Sequence, residues 1–330
     1  MHTILFFAFV FCLYCLTIFF LLVFTRKFNI YDRVDERKVH KGNIPRLGGI
    51  GIFLGFFCGV LFFFSSGNSA SYIVNHVVYI VGSSTMIFIM GVWDDLKPWR
   101  ARYKLLIQII AAVCVISGGF YFRNISVGSS FVLVRLGLFA YPLTFIWIIG
   151  VTNAINLIDG IDGLAGTISL LAILAYAFFF YSYGNSSAFY ICVILVIAIM
   201  GFLAFNLPFP RAKIFMGDGG SQFLGFMLAV LPLLQNGNAL ASIPITYAAA
   251  ILLIPIFDTL AAIWRRIREK RRIDDPDKLH LHHKLMLFLL WICFWVPGLV
   301  AIVILAAVIR FECYLLIPVA PVSFGVAFST

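Results

Sequence analysis

Charge is scarce in this 330-residue chain. It holds 24 Lys and Arg and 14 Asp and Glu, so 12% of its residues are charged, against 62% hydrophobic with 36 Phe. A soluble domain carries about 25% charged residues and cannot hide this much apolar surface, which excludes a soluble fold. Clustered thiols are also missing. Seven cysteines, an odd number, lie almost entirely inside apolar runs. Cys12 and Cys15 form a C-x-x-C, but on an apolar stretch they read as two small apolar residues rather than a redox or metal pair. No G-x-x-x-x-G-K-[ST] occurs, which excludes a P-loop enzyme.

What is present is a succession of apolar runs of about 20 residues, each enough to cross a hydrocarbon core of about 30 Å. The expected fold class is all-α: a polytopic integral membrane protein of ten or eleven transmembrane helices forming one domain over 1–330. The spans are expected at 3–24, 47–64, 72–92, 104–122, 138–152, 164–182, 188–206, 220–235, 243–263 and 286–309, with an eleventh possible at 314–328. The first run lacks the basic flank and small-residue cleavage site of a signal peptide and reads as a span. The intervening segments 25–46, 93–104, 207–213 and 264–284 hold 21 of the 24 Lys and Arg. By the positive-inside rule that side is cytoplasmic and the N-terminus is outside. The net charge of +10 then reflects topology, with no nucleic acid implied. The stretch RRIREKRR (265–272) reads as an anchor to anionic membrane lipid.

The few acids are not spread evenly. Thirteen of fourteen carboxylates fall on or near the basic side, Glu312 being the exception. Asp94 and Asp95 end one helix, Asp159 and Asp162 sit in NAINLIDGIDGL (153–164), and Asp218 opens another helix in MGDGGS. Any one of these could be a cap or a turn residue. Gathered at one end of a bundle, however, they would repel and protonate unless a cation lay among them. Hard oxygen ligands without thiolates point to Mg²⁺, with Mn²⁺ as the substitute. The DGIDG stretch lacks the spacing and closing Glu of an EF-hand. Asp218 precedes Gly219, Gly220 and Ser221 at a helix start, where free N–H groups favour phosphate.

Basic groups accompany the acids. HKGNIPRLGGI (40–50) places Lys41 and Arg46 beside a Pro- and Gly-rich loop, and Lys104 starts the fourth span. There it can serve as a snorkelling anchor or reach a phosphate near Asp94 and Asp95. DDPDKLHLHHKL carries His280, His282 and His283. Adjacent histidines chelate one zinc ion poorly, and no Cys or Glu stands near to complete a site, so phosphate contact is the better reading. A secondary transporter would place acids and broken helices near the midplane, often with an internal repeat. Here the acids lie at one end and no repeat is visible.

Taken together, PRLGG (45–49), GVWDD (91–95), the Lys104 helix, NAINLIDGIDGLAG (153–166), FNLPFPRAKIFMGDGGS (205–221) and HLHH (280–283) resemble the polyprenyl-phosphate N-acetylhexosamine-1-phosphate transferase family. The H-x-H-H form resembles the branch that uses GlcNAc-1-phosphate more than the branch that uses phospho-MurNAc-pentapeptide. The resemblance implies Mg²⁺-dependent attack of undecaprenyl phosphate on a UDP-N-acetylhexosamine at the cytoplasmic face of a bacterial inner membrane, in an enzyme that can pair as a homodimer. By position it implies metal binding at Asp218 and Asn156. Asp94 and Asp95 match the pair that meets the lipid phosphate, and Lys104, His280, His282 and His283 match diphosphate contacts. Phe215 and Asp162 match positions that hold the uracil, and Lys41 and Asn206 match further polar positions near the site; Arg46 and Asp159 are expected to join them in binding substrate. Asp94 and Asp95 diverge by about 100° on a helix, which leaves room for one of them to be structural. Two features depart from the family pattern: Gly219 and Gln222 in MGDGGSQ, where Ser or Thr and an aliphatic residue are usual, and the short exit from the histidines into the membrane.

Overall fold

The computed structural model describes residues 12, 16–21, 23, 25, 44–65, 71–127, 132–207, 212–234 and 242–269, all within the compact unit Met1–Asp275. Its helices are α1 (Gly48–Ser65), α2 (Ser71–Leu96), α3 (Ala101–Ser117), α4 (Ala140–Ile158), α5 (Leu164–Ser182), α6 (Ser186–Asn206), α7 (Gly217–Val230), α8 (Ile245–Ile251) and α9 (Leu253–Arg268). The all-α membrane class is therefore seen. Among the described residues four helical segments are long and apolar enough to cross a membrane: Gly48–Ser65, Gly137–Ile158, Leu164–Ser182 and Ser186–Asn206. Large apolar side chains such as Leu61, Ile89, Leu106, Ile146, Phe178 and Met200 point outward, as lipid-facing surfaces require. The chain is a multi-pass membrane protein. The expected spans at 286–309 and 314–328, and most of 3–24, lie outside the described residues.

The helices pack around α7, which touches α1, α2, α4 and α5. Every α7 residue except Asp218 is buried, so the helix is apolar on nearly all sides below its first turn. At 14 residues it is about 21 Å long, shorter than a full span. Phe53 of α1 stacks on Phe88 of α2 at 3.9 Å and meets Phe223 of α7 edge-on at 5.4 Å, tying three helices through one aromatic cluster. Close approach at the other end needs small residues. A methyl on Gly49 would collide with the Gly220 backbone, and one on Gly91 would lie 2.6 Å from the Asp218 carbonyl oxygen.

Three boundaries differ from expectation. The fifth span continues past 152, so Asn153 and Asn156 are helical and the connecting loop begins only at Asp159. Their amides find partners on neighbouring helices, as described below, which removes the penalty a bare polar group would bring to a helix side. The ninth span is not one helix: α8 and α9 meet at 80°. Pro255 lies in the first turn of α9, where its ring would clash with the Ile251 carbonyl of a continuous helix. Finally, the segment after α3 forms a hairpin. Its strands β1 (Asn124–Val127) and β2 (Val132–Arg135) are antiparallel, with Asn124 opposite Arg135 and Val127 opposite Val132. The β-branched residues Ile125, Val127, Val132 and Val134 favour the extended backbone.

Candidate active site

Two motifs distant in sequence are joined through main chain. The N–H groups of Gly48 and Gly49 donate to the carbonyls of Phe215 and Met216, each at 2.9 Å, and Phe215 N–H donates to Pro45 O at 2.8 Å. PRLGG is thus laid along the segment leading into α7, which brings Arg46 to the helix start. Gly217 there has φ +75°, and a side chain on it would strike the Arg46 carbonyl and the Asp95 carboxylate.

Asp95 caps α7. Its Oδ1 accepts from Asp218 N–H at 2.8 Å and its Oδ2 from Gly219 N–H at 2.9 Å. A carboxylate at this position satisfies two of the unpaired first-turn donors and meets the positive end of the helix dipole. Burial, together with the charge of Asp218, nevertheless pushes the Asp95 carboxyl up to about 7. Asp94, one residue earlier, faces elsewhere. Its Oδ1 accepts from Trp99 N–H at 2.7 Å, closing the turn between α2 and α3, and its Oδ2 pairs with Lys104 Nζ. The expected divergence of the pair is what the structure has: Asp95 braces α7, and Asp94 holds the lysine.

Lys104 Nζ also lies 3.0 Å from Asp218 Oδ2, so one ammonium joins α2, α3 and α7. Its side chain remains 24% exposed and that of Asp218 31%, against 9% for Asp94, so the lysine and Asp218 are the more accessible members of the trio. The two carboxyls are driven apart. Burial raises Asp94, assisted by its hydrogen bond with Asp218. Burial also opposes ionisation of Asp218, but the hydrogen bond with Asp94 and the charges of Lys104 and Arg46 outweigh it and hold Asp218 below the usual carboxylate range.

Asp159 follows α4 as its C-cap. Burial and the charges of Asp218 and Asp95 raise it well above the usual carboxylate range, and Arg46 opposes the shift. Arg46 therefore serves three carboxylates, Asp95, Asp159 and Asp218. Asp162 is half-buried in the same loop and interacts with Asp159. Asn206 is buried and bridges two loops through main chain: its Oδ1 accepts from Gly163 N–H at 2.8 Å and its Nδ2 donates to Ile214 O at 2.8 Å. Both ends of its amide are committed to bracing. Phe215 is half-buried beside these groups. Lys41, His280, His282 and His283 lie outside the described residues.

Asn156 reaches α7 from α4. Its Nδ2 donates to Ser221 Oγ at 2.8 Å, and Ser221 donates to Gly217 O at 3.0 Å. With the amide nitrogen committed, the oxygen is the end available to a cation. Among the described residues no group of three His, Cys, Asp or Glu is arranged to hold a metal. Mg²⁺ does not require one, since it keeps several waters and takes one or two protein oxygens together with substrate phosphate. Asp218 and Asn156 fit that donor set.

Several contributors had no site role assigned from the sequence, although Ser221 and Trp93 lie inside the quoted motifs MGDGGS and GVWDD. Ser221 orients Asn156, and Gln108, four residues after Lys104, lies buried among α3, α4 and α7. A lone amide in an apolar span is costly unless partnered, and that was the available signal. Trp93, Trp99 and Tyr103 form an exposed aromatic chain on the α2–α3 turn, with centroid spacings of 6.3 and 6.2 Å. Such rings sit at headgroup level in membrane proteins, beside the Asp94–Lys104 pair.

The chain is similar to several named proteins. A Bacillus subtilis protein named probable undecaprenyl-phosphate N-acetylglucosaminyl 1-phosphate transferase is 36% identical over 262 residues, 79% of this chain and 71% of that protein. Proteins named undecaprenyl-phosphate alpha-N-acetylglucosaminyl 1-phosphate transferase are 32% identical in Yersinia pestis, over 79% of this chain and 70% of theirs, and 31% identical in Escherichia coli K12, over 82% and 73%. Residues 77–236, which include every described site residue except Arg46, match the family described as Glycosyl transferase family 4, and the chain belongs to that family.

Proposed function

We propose that the protein transfers a HexNAc-1-phosphate, with GlcNAc-1-phosphate preferred, from a UDP-sugar to undecaprenyl phosphate. The products are undecaprenyl-diphospho-HexNAc and UMP. The observation that carries this reading is that the family match at 77–236 contains the Lys104 junction of α2, α3 and α7. An oxygen of the lipid phosphate attacks the β-phosphorus of the UDP-sugar. The new P–O bond forms as the bond from that phosphorus to the bridging oxygen breaks, and UMP departs with the bridging oxygen.

The residues of this chain divide the work. Lys104, held by Asp94 and Asp218, offers positive charge to the diphosphate oxygens as charge develops on them. Arg46 balances the charge of Asp95, Asp159 and Asp218. Asp95 holds the first turn of α7 so that Asp218 keeps its position. Asp162 and Phe215 are assigned to the uracil, through hydrogen bonding and stacking. The aromatic chain Trp93–Trp99–Tyr103 marks the level at which a lipid phosphate meets the site. Asp218 and Asn156 would hold Mg²⁺, which in such sites neutralises diphosphate charge. The basic loops are assigned to the cytoplasm, where a UDP-sugar is found, in a bacterial inner membrane.

The test supplies purified protein with Mg²⁺, undecaprenyl phosphate and a panel of labelled UDP-sugars. UMP and a lipid-linked sugar in equal amounts, fastest with UDP-GlcNAc, are expected. No product with any UDP-HexNAc would refute the assignment.

A further inference from the structure

The three helices that carry Lys104, Asn156 and Asp218 each place a second polar residue one turn away on the same face. Gln108 follows Lys104 by four residues, Gln222 follows Asp218 by four, and Asn153 precedes Asn156 by three. These second residues meet one another. Gln108 Nε2 donates to Asn153 Oδ1 at 3.2 Å and to Gln222 Oε1 at 3.1 Å, and Gln108 Oε1 accepts from Asn153 Nδ2 at 2.8 Å. Gln108 and Asn153 thus form a reciprocal amide pair, and Gln108 joins that pair to α7. Gln108 and Gln222 are only 3% and 1% exposed, whereas the Lys104 and Asp218 side chains above them are 24% and 31% exposed. A layer of neutral amides therefore underlies the charged layer.

Buried amides are expensive without partners, and aliphatic side chains would fill these positions without that risk. What aliphatic packing lacks is direction. Apolar helix faces tolerate small axial slips, whereas a hydrogen-bonded amide cluster holds only near one register. The site above is sensitive to slips of that size, since a misplacement of about 1 Å can cost about 100-fold in rate.

We propose that Gln108, Asn153 and Gln222 form a positioning layer that sets the axial register of α3, α4 and α7, and through it the mutual placement of Lys104, Asn156 and Asp218. None of the three touches substrate. The proposal rests on the assignment of the site to the Lys104 junction.

The experiment uses the full chain purified in detergent, with saturating Mg²⁺ and undecaprenyl phosphate and varied UDP-GlcNAc. Gln108→Met removes the central amide at nearly constant volume. It is expected to lower kcat by about 10- to 100-fold and to change KM by less than about threefold, the pattern of lost transition-state alignment. Gln222→Met removes one bond and spares the reciprocal pair, so its kcat loss is expected to be smaller. In a Lys104→Ala background the further loss from Gln108→Met is expected to shrink to less than about threefold, since residues acting as a unit are not additive. A folded Gln108→Met with wild-type kcat, or a loss undiminished in the Lys104→Ala background, overturns the proposal. If Gln108→Met does not fold, wild-type kcat in Gln222→Met overturns it equally. Wild-type turnover in Lys104→Ala alone would instead defeat the site assignment, and this layer with it. Loss in Lys104→Ala with none in the glutamine variants would defeat only the layer.

Discussion

The two ends of α7 are built from different chemistry. At its N-terminal end the first-turn N–H donors meet a carboxylate, Asp95, and the first turn carries Asp218 in contact with Lys104. At the C-terminal end the groups are neutral. Trp147 Nε1 donates to Ala229 O at 3.0 Å, and Asn185 Nδ2 donates to Leu234 O at 3.3 Å just beyond the helix. Both ends satisfy main-chain groups, so capping alone does not explain the difference. A neutral Ser or Asn could have capped the N-terminal end as well. The charge there gathers Asp94, Asp95, Asp159 and Asp218 around Lys104 and Arg46, an arrangement whose carboxyls are displaced in both directions from their ordinary range. Displacement of that kind is characteristic of reaction sites. The opposite end shows what the same helix needs for folding alone.

That contrast can be broken by substitution. Asp218→Asn should have the largest effect, lowering turnover by about 100- to 1000-fold or more while the protein still folds, as measured by UMP release per folded molecule. Lys104→Ala should lower turnover by about 100-fold, and in addition leave Asp94 and Asp218 without the ammonium they share. Asp95→Asn keeps one acceptor but loses the charge and the second acceptor. A loss of about 1 kcal/mol in stability and a turnover reduction smaller than that of Lys104→Ala should follow, read by thermal unfolding in detergent and by steady-state rates. At the other end Trp147→Phe removes one hydrogen bond, for about 1 kcal/mol of stability, with turnover close to wild type. Equal kinetic penalties at the two ends would erase the distinction.

Much of the membrane architecture was legible from hydropathy. The runs expected at 47–64, 164–182 and 188–206 appear as Gly48–Ser65, Leu164–Ser182 and Ser186–Asn206. Hydropathy failed where polar groups are satisfied by tertiary partners. NAINLI looked like a loop because its amides count as polar, yet Asn153 is paired with Gln108 and Asn156 with Ser221, so the helix runs on to Ile158. It failed again at Leu252, where the apolar run continues but Pro255 does not permit one straight helix. The convergence of the acids was readable, because each sits in its own Gly-rich motif on the basic side. Their division of labour was not. Which of Asp94 and Asp95 caps α7 depends on where α7 lies, and that is a property of packing. Gln222 appeared only as a departure from the family pattern, and its bond to Gln108 supplies the physical reason for an amide there. Asn206 appeared as a polar site residue, and its two main-chain bonds show how it acts, by fastening Gly163 to Ile214.

The claim at the centre is that turnover depends on the charged end of α7. The most direct measurement is Mg²⁺-dependent UMP release from UDP-GlcNAc, with undecaprenyl phosphate as acceptor, in wild type, Asp218→Asn and Trp147→Phe at matched amounts of folded protein. Near wild-type release in Trp147→Phe with release reduced by about 100-fold or more in Asp218→Asn is the predicted result. Undiminished release in folded Asp218→Asn would contradict it and move the chemistry to another part of the molecule.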